Sequence, residues 1–121
     1  MEKKCILITG PAICRDLRLA KALQKFADVI QNASNSRIFF ILGKRRVDLI
    51  LFEISPEHPA DIDFIHIIKN QFPEIIILLI NGGDDRKLIA KGFQYGAKDA
   101  FRKPYHCDLI ADRVNVLLSR A

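Results

Sequence analysis

Three unbroken apolar runs constrain this chain more than anything else in it: CILIT at 5–9, LILF at 49–52 and IIILLI at 75–80. A strand with one wet face alternates apolar and polar residues. Runs of Ile and Leu without alternation belong to strands covered on both faces, which is the mark of a parallel sheet. Parallel neighbours cannot be joined by a tight hairpin. They need crossovers, usually helices.

The segments between the runs supply those helices. In 15–27, Leu19, Leu23 and Phe26 recur on one face while Arg18, Lys21 and Lys25 line another. In 60–72 the inner face is Ile65, Ile68 and Phe72. Asp84 and Asp85 stand where a helix N-terminus favours negative charge, and Leu88, Ile89 and Phe93 follow as its inner face. Asp108 is placed to cap a last helix with Ile110, Val114, Leu117 and Leu118 inside. The difficult segment is 28–46. DVIQNA reads as a short strand, and RIFFIL would also be a strand on propensity alone. A helix must nevertheless precede VDLILF, so 35–45 is predicted helical. The expected architecture is α/β, a doubly wound parallel sheet of five strands, in one domain over 1–121.

Composition narrows the function classes. Half of the 121 residues are apolar and 27% are charged, which suits a globular domain and not a disordered tail. No apolar run approaches the roughly 20 residues that cross a bilayer. The opening MEKKCILITG has no long apolar segment or small-residue cleavage site, so no signal peptide is expected. Cys5, Cys14 and Cys107 are odd in number and widely spaced, as reduced thiols of a cytoplasmic protein would be. Cys14 and Cys107 read as small apolar fillers. His58, His66 and His106 are scattered, and no CxxC or HxxxH spacing suggests a metal site. The net charge of +5 includes the cluster Lys44-Arg45-Arg46, which reads as a solvated helix end. No recognition helix stands out, so direct nucleic-acid contact is not expected, nor is a membrane partner.

In a doubly wound sheet, ligands sit beyond the carboxyl ends of the strands. That rule selects Thr9-Gly10-Pro11, Glu53-Ile54-Ser55, Asn81-Gly82-Gly83 and Lys103-Pro104. Gly10 lacks the later glycines of a dinucleotide turn, and no GxxxxGK[ST] phosphate loop exists. Gly82-Gly83 could form an anion-binding turn of backbone N–H groups or simply a loop before a helix. Glu53, at the end of an apolar run, is the residue that most needs explaining, because a buried charge is costly unless partnered.

The order and spacing of VDLILFE (47–53), FPEIIILLING (72–82) and YGAKDAFRKP (95–104) resemble the receiver domain of two-component response regulators, across essentially the whole chain. The last segment looks like that family's GA-x-D-x-x-x-KP run, with Gly96, Ala97, Asp99, Lys103 and Pro104 in place. The resemblance implies a flavodoxin-like strand order 2-1-3-4-5 and a Lys103–Pro104 bond that is cis. It also implies a role for each strand end. In receivers an aspartate ending strand three accepts a phosphoryl group from a histidine kinase. Two acids after strand one help to hold magnesium. A Ser or Thr after strand four and the Lys before Pro contact the phosphoryl group, and an aromatic on strand five reorients.

Here Glu53 stands at the acceptor position, Gly10 and Pro11 at the acidic pair, Asn81 at the Ser/Thr position and Ala100 at the switch aromatic. Phe101 falls on the other face, and only Lys103 is retained. Glu is one methylene longer than Asp, and misplacing a reacting atom by about an angstrom costs on the order of 10²-fold. Gly10 and Pro11 offer magnesium no carboxylate. The expected function is therefore a non-catalytic, receiver-like signalling module, not an enzyme, without cofactor or metal. It would bind a protein partner or effector domain, or form a homodimer, independently of phosphorylation. The contact face implied by the resemblance includes Lys87, Lys91, Tyr95, Arg102 and Tyr105. The alternatives are an atypical phosphorylatable regulator, or an anion or small-molecule sensor using Gly82, Gly83 and Lys103. Glu53 is expected to pair with Lys103, with Asn81 adding a hydrogen bond to the carboxylate.

Overall fold

The computed structural model describes residues 3–120. Five parallel strands form one sheet in the order β2-β1-β3-β4-β5. They are β1 Cys5–Thr9, β2 Asp28–Asn32, β3 Leu49–Ile54, β4 Ile76–Asn81 and β5 Asp99–Arg102. The crossovers are α1 Leu17–Gln24, α2 Ile38–Lys44, α3 Asp63–Gln71 and α4 Arg86–Gln94, and α5 Cys107–Arg120 follows the last strand. Short 3-10 turns at Ile13–Arg15, Asn35–Arg37 and Pro59–Ile62 lead into α1, α2 and α3.

Successive strand residues point to opposite faces, so each apolar run feeds two cores at once. Ile6, Ile8, Leu49, Leu51, Leu78 and Ile80 pack under α1 and α5 with Leu19, Leu23, Ile110, Val114, Leu117 and Leu118. Leu7, Ile50, Phe52, Ile77 and Leu79 pack under α2, α3 and α4 with Ile38, Leu42, Ile65, Ile68 and Leu88. The same parity places Glu53, two residues after Leu51, on the α1–α5 side. It also divides Phe101, in the first core, from Ala100, against the second.

RIFFIL is helical, as the crossover requirement demands and against its strand propensity. Four details differ from the sequence reading. Strand β3 runs two residues further than LILF, so Glu53 lies inside it, opposite Ile80. Phe26 falls in the turn after α1 and packs against the core from there. Phe93 is turned outward, 43% exposed. The reason is Gly92, whose missing side chain lets α4 lie on the sheet: a Cβ there would stand 2.6 Å from Leu79 Cδ1. Asp108 lies within the first turn of α5 and does not cap it. At α4 the cap is Asp85, accepting from the backbone N–H of Lys87 and Leu88, while Asp84 pairs with Arg102 at 3.1 Å. Among the described residues no helix is long and apolar enough to cross a membrane.

Candidate functional site

The carboxyl ends of β1, β3, β4 and β5 bring Gly10, Glu53, Asn81 and Lys103 to one place. Glu53 is 7% exposed, and both its oxygens are engaged. Oε1 accepts from the backbone N–H of Ala12 at 2.9 Å and of Ile13 at 3.2 Å. Oε2 accepts from Lys103 Nζ at 2.6 Å. The ion pair expected from sequence is present. The two backbone donors are not visible in sequence. They belong to the entrance of the 3-10 turn that follows β1, where N–H groups have no partner within the turn. A carboxylate taking such charge-assisted bonds is well compensated for its burial.

Gly10 makes this arrangement possible. Its φ of +141° is open to glycine and strained for other residues. A Cβ on it would overlap Glu53 Cβ and stand 2.5 Å from Oε1. Glu53 fills the volume that a side chain at position 10 would need. Gly10 also ties the loop to the edge of the sheet, its N–H donating to Asn32 O at 2.9 Å.

Asn81 departs from expectation. Its Oδ1 accepts from Gly83 N–H at 3.1 Å, which turns the amide away from the carboxylate, and its buried Nδ2 has no partner among the described residues. The stem and ammonium of Lys103 lie over Gly82, 3.7 Å from where its Cβ would be, and Pro56 lies against Gly83. The Lys103–Pro104 bond is cis. Pro11 is exposed and touches none of the site's hydrogen bonds.

A second polar cluster borders the site and has no signature in the sequence. Asp16 caps α1, accepting from Leu19 N–H at 3.0 Å, and Tyr105 donates its hydroxyl to the other oxygen at 2.5 Å. Burial alone would raise the Asp16 carboxyl. The hydrogen bonds from Tyr105 and from the backbone of Leu19 and Arg18 outweigh it and hold the pKa below the ordinary value. Burial and then Asp16 push the Tyr105 hydroxyl strongly upward, and the Cys107 thiol is raised for the same two reasons. Both effects disfavour the thiolate form of Cys107. Tyr105 therefore faces α1, not the surface shared by Lys87, Lys91 and Arg102. Those three are exposed, and Tyr95 is half-buried with Lys91 over its ring. Tyr95 stacks on His66 with ring centres 4.8 Å apart, and Lys91 pairs with Asp63 at 3.5 Å.

These residues do not fit a divalent cation. Such an ion needs several hard oxygens. Gly10 and Pro11 supply none, both oxygens of Glu53 face donors, and Asp16 is spent on its cap and on Tyr105. Among the described residues no group of three or more His, Cys, Asp or Glu side chains could hold a metal.

No family model matches the chain, and no curated protein does. Solved structures do. A response regulator from Thermotoga maritima is 24% identical, with TM-score 0.84, covering 97% of this chain and 98% of its own. A CheY-like response regulator receiver domain protein from Methanospirillum hungatei JF-1 is 15% identical, with TM-score 0.88, covering 98% and 96%. A two-component response regulator from Clostridium difficile is 18% identical, with TM-score 0.82, covering 98% of both chains. Agreement over whole chains, with the same five-stranded order, identifies the fold: this chain has the fold of the response-regulator receiver domains.

Proposed function

We propose that the chain is a single receiver-like signalling domain that engages a protein partner or effector without an aspartyl-phosphorylation cycle and without catalysis of its own. One observation carries this reading: both oxygens of the carboxylate at the acceptor position are already engaged, by Ala12 N–H, Ile13 N–H and Lys103. Phosphoryl transfer depends on a positioned nucleophile and on charge neutralisation around the transferred group. Glu53 has neither a free oxygen nor a metal-binding neighbour, and the cation that would neutralise a phosphoryl group is bound to it. The partner-facing surface is Lys87 and Lys91 of α4, one turn apart, with Tyr95 after them and Arg102 on β5.

Intact-mass measurement after incubation with acetyl phosphate and magnesium tests the chemistry. The expected outcome is no adduct. A stoichiometric phosphate on Glu53 overturns the reading in favour of an atypical phosphorylatable regulator. For the partner face, substitution of Lys87 and Lys91 is expected to abolish affinity capture while leaving the melting temperature unchanged.

A second reading is favoured by Asn81. Its Nδ2 is buried without an acceptor, beside Gly82, Gly83 and Lys103, and such an atom calls for a water or an anion. A melting temperature that rises with phosphate or a small carboxylate, and not with chloride at equal ionic strength, would favour an anion sensor.

A further inference from the structure

The opposite pole of the molecule, at the amino ends of the strands, carries a surface that neither the receiver fold nor the Glu53 site uses. A cleft of about 490 Å³ opens there between Lys3, Lys4, Arg45 and Arg46, with Asp28 and Asp48 in its lining. Both carboxylates are already engaged. Asp28 holds Arg45 at 2.7 Å, and Asp48 holds Arg46 at 3.4 Å and takes the Cys5 backbone N–H at 2.8 Å. Among the described residues no carboxylate comes within 4.0 Å of Lys3 or Lys4. Four cations over two neutralised acids leave a net positive cleft.

Phe40, on the helix that leads into this cleft, is 59% exposed. Two cations lie near it: Arg37 is 5.6 Å and Lys44 5.5 Å from its ring centre. The ring belongs to neither core cluster and is open to solvent between its two cationic neighbours along the helix. An exposed flat ring on α2, the helix that ends directly before the cleft's Arg45 and Arg46, combines with the cleft the two elements that bind unpaired nucleic acid: a stacking platform and an electrostatic track.

We propose that this surface binds single-stranded nucleic acid, with a base stacked on Phe40 and the phosphodiester backbone running into the Lys3–Lys4–Arg45–Arg46 cleft. A duplex keeps its bases stacked internally and cannot use Phe40. An anionic membrane is the other partner of basic-aromatic surfaces, but a bilayer is flat and cannot enter a cleft. The proposal is independent of the reading of the Glu53 site.

Fluorescence anisotropy with labelled single strands of about a dozen nucleotides, as DNA and as RNA, tests it. The two strands tell which sugar is taken. Saturable binding that weakens as salt rises is expected. Phe40→Ala is expected to weaken it about tenfold with little change in salt dependence. The triple variant Lys3→Gln, Lys4→Gln, Arg46→Gln is expected to flatten the salt dependence. These side chains are at the surface, and circular dichroism checks that each variant folds. The proposal is overturned by the absence of binding at low salt, by wild-type affinity in Phe40→Ala, by equal affinity for duplex, or by binding to anionic vesicles in place of the strands.

Discussion

At the scale of single residues, Glu53 explains Gly10 as much as Gly10 explains Glu53. The longer carboxylate reaches two backbone N–H groups and an ammonium because nothing projects from position 10. Gly10→Ala should cost about 2–4 kcal/mol, combining a strained φ with overlap in a packed site, and denaturant unfolding would measure it. Lys103→Ala leaves Glu53 buried with only its backbone donors. The loss should be about 3 kcal/mol, at the low end for a broken buried pair, and should lower the melting temperature by roughly 10 °C. An unchanged melting temperature would show that the pair contributes nothing. Asp16 gives a pH signature. Its folded pKa is depressed, so its contribution is complete above the unfolded value of about 3.9 and is lost as pH falls through the folded one. Tyr105→Phe removes the strongest hydrogen bond holding it down. In that variant, stability should fall less steeply below about pH 4 than in the parent.

At the scale of elements, two helical glycines should respond oppositely to one substitution. Gly43, near the end of α2, has open space around its missing Cβ, so Gly43→Ala should stabilise by about 0.5–1 kcal/mol through backbone entropy alone. The same propensity gain at Gly92 is outweighed by collision with Leu79 and Ile62, and Gly92→Ala should destabilise by about 1–3 kcal/mol. Paired melting curves would show the difference in sign. Gly92 also marks where sequence reading stops. The apolar period over 84–93 located α4 and its cap region, but periodicity assigns every apolar residue inward. Only the close approach at Gly92 decides that Phe93 faces out. Likewise the requirement for a crossover placed α2 correctly over residues whose propensity is for strand. The Lys103 pairing was legible because the KP run and the end of β3 are both spaced as in receivers. The Ala12 and Ile13 donors were not, because a backbone N–H carries no residue-type signal. Nor was the Asp16–Tyr105 bond, whose partners are 89 residues apart in the chain.

At the scale of the whole molecule, the chain presents two poles with different characters. At the carboxyl ends of the strands, Glu53 is buried and paired with Lys103, and Asp84 pairs with Arg102 at the surface. At the amino ends, cations exceed the acids that hold them. Changes at Phe40 should therefore leave the melting temperature and any partner capture through Lys87 and Lys91 untouched, whereas changes at Gly10 should lower the melting temperature through the Glu53 site. The interlock of Gly10 with Glu53 also bears on the routes by which such a chain can change. Suppose the acceptor pole were to be rebuilt one codon at a time. An aspartate placed first at position 10 meets the Glu53 side chain, and shortening Glu53 first to aspartate strands Lys103 and two N–H donors. Each single step is expected to lower stability, the first by overlap and the second by stranding bonded groups. The two substitutions should thus be non-additive by about 1–3 kcal/mol in a double-mutant cycle. Packing between Gly10 and Glu53 thus couples what either position can become to what the other already is.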